Sequence, residues 1–121
     1  KPKMIIPADI TALKQLKSLE DAKVWQAGNI KKYHTGISEI IRRYTENRFY
    51  FIALELTTDE IISELKTKVD NEQLASITIL LQRADLAKFA KSRPYEDDNQ
   101  ESMQLAKHFV EKTKQRKVNN G

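Results

Sequence analysis

The chain has no cysteine. That excludes disulfides, thiolate zinc sites and a cysteine nucleophile, and it suits a reducing compartment. Breakers are few, with three Gly and three Pro in 121 residues, so Leu, Ile, Ala, Lys and Glu set a composition that favours helices over a β-sandwich. His34 and His108 are the only histidines. They form no His-x-x-x-His pair, and the three or four ligands of a mononuclear zinc site are not in view. No apolar run approaches the roughly 18–20 residues that span a bilayer. The longest, residues 75–81, is interrupted by Ser76 and Thr78. There is no visible signal peptide, no Gly-rich phosphate loop and no Gly-x-Ser-x-Gly elbow. The sequence therefore nominates no catalytic residue, no cofactor site and no metal site, and it reads as a protein that is not an enzyme.

What is present is a patterned, charged chain. Hydrophobic residues make up 40% and charged residues 31%, and the apolar positions recur regularly, which argues against disorder. The length suits one domain with one core. The net charge of +4 is uneven: residues 1–56 carry ten Lys and Arg against six Asp and Glu, and residues 57–121 carry eleven against eleven. Such an excess is compatible with an anionic partner or an inner-leaflet surface, although a solvated surface with spare lysines explains it more simply. The chain opens at Lys1 rather than at methionine, which fits a complete chain as well as a fragment of something longer whose membrane span lay on the N-terminal side.

Periodicity and capping predict an all-α fold, a single compact bundle of about five helices over residues 8–25, 30–49, 58–68, 71–91 and 98–114. Residues 1–7 read as an N-terminal extension and 115–121 as a flexible tail. Pro7, Ala8 and Asp9 open the first helix, with Ala12, Leu16 and Leu19 as its apolar stripe and Ile10 and Leu13 beside it. Gly28-Asn29 ends that segment. Ile30, Tyr33, Ile37, Ile40, Ile41 and Tyr44 match the helical template. Gly36 among them implies close approach of another helix, since mid-helix Gly otherwise costs about 1 kcal/mol. The apolar link 50–54 is expected to be pinned against the core. Thr57-Thr58-Asp59-Glu60 is a capping box, and Asp70 with Gln73 repeats the signal. The apolar residues of the fourth helix cover more than one face, which predicts the most buried helix, at the centre of the bundle. Ser92-Arg93-Pro94 stops it. In the fifth helix Ser102 or Met103, Ala106, Phe109, Val110 and Thr113 face the core.

Charged and polar residues admit two readings each. Both histidines read most simply as helix-surface residues. Glu96, Asp97 and Asp98 lack the alternating ligands and central Gly of a calcium loop and instead place negative charge at the start of the fifth helix. Arg42 and Arg48 suit the end of the second helix, with Glu46, Glu55 or Asp59 as ion-pair partners. Arg43 falls off the apolar stripe and is the better candidate for an exposed contact. Lys88, Lys91 and Arg93 beside Tyr95 form a compact basic patch with an aromatic neighbour. The candidate interaction surface is therefore Arg43, Lys88, Lys91, Arg93 and Tyr95. The tail residues Lys112, Lys114, Arg116 and Lys117 read as solvated, and Trp25 as a core plug. A helix-turn-helix reading of the third and fourth helices is disfavoured, because the fourth opens with Asn71-Glu72-Gln73 and has no Arg or Lys before Arg83.

Five blocks, in order, carry a family resemblance: Trp25-Gln-Ala-Gly-Asn-Ile-Lys-Lys-Tyr33; Ile41-Arg-Arg-Tyr44 with Arg48-Phe49; Glu55-Leu-Thr-Thr-Asp-Glu-Ile61; Ala84-Asp-Leu-Ala-Lys-Phe-Ala-Lys91; and Ala106-Lys-His-Phe-Val-Glu-Lys-Thr113. Over residues 7–113 the chain resembles the C-terminal cytoplasmic helical domain of BatD-like membrane proteins of Bacteroidetes. In these an extracytoplasmic β-rich region and a single membrane span precede the helical domain. Members commonly have Gly after the Arg-Phe pair, where this chain has Tyr50. The resemblance implies the cytoplasmic side of the inner membrane, within a longer anchored protein. It also implies a setting among aerotolerance-operon proteins, with a MoxR-type ATPase or a von Willebrand A-domain protein as partner, and it assigns no catalytic residues. The function expected on these grounds is a non-catalytic protein–protein interaction domain, an adaptor or scaffold, with self-association as a further mode. The alternative is a small basic nucleic-acid-binding helical protein.

Overall fold

Two capping signals place the middle of the chain. Thr57 Oγ1 accepts from the Glu60 N–H at 3.2 Å, and Glu60 Oε1 accepts from the Thr57 N–H at 2.9 Å. This reciprocal box holds two N–H groups that a helix start otherwise leaves unpaired, and it draws the exposed Glu60 carboxyl below its ordinary pKa. Asp70 Oδ1 accepts from the Gln73 N–H at 2.9 Å, but Gln73 turns its side chain inward instead of reaching back, and its buried Oε1 has no hydrogen-bond partner.

The computed structural model describes residues 6–89 and 96–115. Among these there are five α-helices: α1 (Ala8–Asp21), α2 (Ile30–Phe49), α3 (Thr58–Leu65), α4 (Asn71–Lys88) and α5 (Glu96–Thr113), with a single 3-10 turn at Ala53–Glu55 between α2 and α3. The all-α bundle read from periodicity is the fold observed, and α2 has the predicted bounds. The first helix ends at Asp21 rather than at residue 25, because Lys23 (φ 52°) and Gly28 (φ 95°) adopt left-handed geometry and turn the chain towards α2. The third stops at Leu65, after which Lys68 and Val69 both donate to the Leu65 carbonyl in a tightened turn. The fourth ends at Lys88, three residues early, and the fifth spans Glu96–Thr113 rather than 98–114. Among the described residues no helix is long and apolar enough to cross a membrane.

The expected centre of the bundle shifts by one element. α2, not α4, is the hub: it packs on α1, α4, α5 and the 3-10 turn, whereas α4 packs on α2, α3 and α5. The reason is that α4 is apolar on two faces but enters the core with only one, through Ile77, Leu80, Leu81 and Ala84. Its other face, with Ile79 and Leu86, points to solvent. Tyr33, Ile37, Ile41 and Tyr44 of α2 meet Leu16 of α1 and Met103, Phe109 and Val110 of α5 in one buried cluster. Gly36 is explained by α1. A Cβ there would lie 3.1 Å from Leu19 Cδ2, so the glycine lets Leu19 rest against α2.

Polar side chains then lock the helix ends. Thr113 Oγ1 donates to the Phe109 carbonyl at 2.6 Å, so Tyr44 Oη must be the donor in its 2.9 Å bond to Thr113 Oγ1. Burial pushes the Tyr44 phenol above its ordinary pKa. Arg48 Nε donates to the Thr113 carbonyl at 2.7 Å and its guanidinium lies over the Phe49 ring. It thus serves the C-terminus of α5 rather than that of its own helix. The link 50–54 is pinned by the fully buried Ala53, while Tyr50 and Ile52 stay exposed. Tyr50 is the C-terminal cap of α2 in left-handed geometry (φ 61°, ψ 47°), a geometry that glycine adopts without strain and tyrosine does not.

Candidate interaction surface

Arg43 projects from the outer side of α2, where it makes a 3.5 Å ion pair with Glu39 one turn earlier. Both side chains are about half exposed, and such pairs contribute only about 0.5 kcal/mol, so Arg43 is available to a partner. It stands at the rim of an open groove of about 980 Å³ between α1 and α2. Ile6, Ile10 and Leu19 line the groove from the α1 side and Gly36 and Ile40 from α2, with Lys14 on the opposite rim. The depth follows from Gly36, which lets Leu19 sink against α2. Ile10 is 53% exposed and Ile6 62%, so two branched apolar side chains face water beside a basic rim.

Lys88 lies elsewhere. It stands at the rim of a second cleft, of about 620 Å³, enclosed by α2, residues 54–58 and α4. Glu39 faces both concavities. The interior of this cleft is polar and already paired. Arg42 Nε donates to Ser38 Oγ at 3.1 Å, Nη1 to the carbonyls of Ala53 (3.4 Å) and Leu56, and Nη2 to Thr58 Oγ1 at 3.4 Å. Thr58 in turn donates to Asp85 Oδ2 at 2.6 Å. The carboxylate partners expected for Arg42 are replaced by backbone carbonyls and hydroxyls, because the connector after α2 folds back over it. Lys91, Arg93 and Tyr95 fall outside the described residues, so Lys88 alone of the expected basic patch is described; it and Arg43, the separate candidate on α2, stand one in each concavity.

The histidines divide. His108 is partly exposed on α5, with Nε2 3.5 Å from Glu72 Oε1. His34, expected at the surface, is 1% exposed. Its Nε2 is 2.7 Å from Asn99 Oδ1, and Tyr33 Oη donates to the Asn99 carbonyl at 2.9 Å. A buried asparagine at the start of α5 thus receives two adjacent α2 side chains, which is why both turn inward. Desolvation lowers the His34 pKa and raises that of Tyr33 to about 12. Trp25 lies edge-on to Tyr33 at 6.5 Å and is half-buried, capping the cluster from outside. The negative start of α5 is used as well, since Asp98 pairs with Arg83 at 3.2 Å.

Among the described residues no three His, Asp or Glu side chains are grouped so as to hold a metal ion. The arrangement is suited to docking: an apolar trough between two helices, with Lys14 on one edge and Arg43 beside Glu39 on the other. Sequence reasoning named Arg43 but not Ile6 or Lys14, and it set Ile10 beside the apolar stripe of α1, whereas Ile10 is 53% exposed. The available signal was the position of Ile10, about 200° round the helix from Ala12 and so off the face that enters the core. No family model, curated protein or solved structure matches the chain.

Proposed function

We propose that this chain is a non-catalytic protein–protein interaction domain that receives an amphipathic, acidic helix of a partner in the α1–α2 groove. The observation that carries the reading is the groove itself, with exposed Ile6 and Ile10 along it and Lys14 and Arg43 on its edges. Helix-in-groove recognition uses apolar anchors spaced along one face, and the basic rim selects acidic flanks and guides encounter. The resemblance to BatD-like proteins supplies the setting of this proposal: a domain on the cytoplasmic side of a membrane-anchored protein, coupling it to a soluble ATPase or A-domain partner.

The test is retention of proteins from native lysate on the immobilised chain, compared across variants. The same protein held by wild type and by Gln104→Glu, on exposed α5 surface, and lost about tenfold or more with Ile10→Glu or Arg43→Glu supports the reading. Equal retention by all four, or recovery only of nucleic acid released by salt, refutes it.

A further inference from the structure

We propose that the outward face of α4 is a self-association surface through which two copies of this chain pair, helix against helix. Ala75, Ile79, Gln82, Leu86 and Phe89 recur at alternating spacings of four and three residues, the spacing that keeps one seam of a helix facing a second helix. The seam lies opposite Ile77, Leu80 and Ala84, which enter the core. Ile79 is 39% exposed, Leu86 54% and Phe89 73%; residues 75–86 extend over roughly 17 Å of helix, and Phe89 follows at the C-cap of α4.

Two observations favour a second copy as the occupant. First, the seam is uncharged in a chain of which 31% is charged. The flanking charges are held internally: Arg83 by Asp98 at 3.2 Å and Glu101 at 2.6 Å, and Asp85 by Thr58 at 2.6 Å; the exposed Glu72, one step before Ala75 at the end of the seam, lies 3.5 Å from His108 Nε2. A two-fold axis through the seam therefore brings no unpaired like charges together. Second, its one polar side chain is an amide. Gln82 carries both donors and an acceptor, so two copies satisfy each other across that axis, as a seam amide does in helical dimers.

Area sets the strength. The three exposed apolar side chains leave roughly 350 Å² in water, within the range of patches that mark interaction sites. The whole strip offers less than the approximately 800 Å² per partner of a standard interface. The dimer is accordingly weak, with a dissociation constant on the order of 10–500 µM.

Sedimentation equilibrium of the whole chain between about 10 µM and about 1 mM brackets that range. Wild type is expected to rise from the monomer mass towards twice that value. Leu86→Lys should stay monomeric with an unchanged thermal melt, and Ile10→Glu, in the α1–α2 groove, should dimerise like wild type. Because the chain has no cysteine, Gln82→Cys gives a second readout: with diamide added as the two-electron oxidant, a disulfide between copies, formed at least about tenfold faster than by Lys31→Cys on exposed α2 surface. A wild type that stays monomeric throughout overturns the proposal. So does a Leu86→Lys variant that dimerises equally, or Gln82→Cys crosslinking no faster than the control.

Discussion

Arg42 is the side chain on which the path from α2 to α3 most depends. Its guanidinium spans Ser38 on α2, the carbonyls of Ala53 and Leu56 in the connector, and Thr58 at the start of α3. Replacing it with Met keeps the apolar stem and removes every one of these bonds. A hydrogen bond to a charged group contributes about 1.5–3 kcal/mol. The site is only partly buried, and water can reach some of the freed carbonyls, so the loss should total about 2–3 kcal/mol rather than the sum. In urea, with a slope of about 2 kcal/mol/M, that lowers the unfolding midpoint by about 1–1.5 M. Arg42→Lys should recover less than half of the loss, since one ammonium cannot reach four acceptors in the plane that a guanidinium serves. Urea unfolding followed by circular dichroism measures both variants. A midpoint shift below about 0.3 M for Arg42→Met, or full recovery by Lys, would show that burial of Ala53 alone holds the connector and that the Arg42 bonds add nothing.

Two further perturbations test single residues. Tyr50 sits at φ 61° with its side chain 84% exposed, so Tyr50→Gly relieves about 1–2 kcal/mol of left-handed strain. Part of that is offset by added unfolded-chain freedom, leaving a net gain of about 0.5–1 kcal/mol. The melting temperature should rise by about 2–4 °C, and a fall would refute the strain argument. His34 is buried with its pKa lowered, chiefly by desolvation, so the unfolded chain takes up its proton first on acidification. The His34 contribution is therefore complete above the unfolded value of about 6.5. It is lost progressively as the pH falls from there through the folded value. His34→Gln should flatten the stability–pH curve in that window, whatever its effect on stability at neutral pH. Parallel curves for the two proteins would contradict the assignment.

Local signals in the sequence were sufficient for most of the architecture. The box at Thr57 and Glu60, the cap at Asp70 and the stripe from Ile30 to Tyr44 are each written within a few residues, and each is found in place. What was not legible depends on residues far apart in the chain. The burial of His34 is set by Asn99, 65 positions away, and the end of α5 is held by Arg48, also 65 positions from Thr113. Arg42 was misassigned to carboxylates because sequence shows which charges are near, not which carbonyls a folded connector brings back. The fourth helix is apolar on two faces, which suggests the centre of the bundle, but composition alone does not tell a face that meets the core from one that meets solvent. Of the site, Arg43 was legible as a residue off the apolar stripe. The groove it borders was not, because it exists only where α1 lies along α2 with Leu19 seated at Gly36.

The central claim is that the α1–α2 groove receives a partner helix. Hydrogen exchange of the chain, with and without the partner retained in the capture experiment, tests it most directly. The account predicts slowed exchange confined to residues 10–19 and 36–43, with α5 unchanged. Slowed exchange on α4 or α5 with the groove unaffected would contradict it.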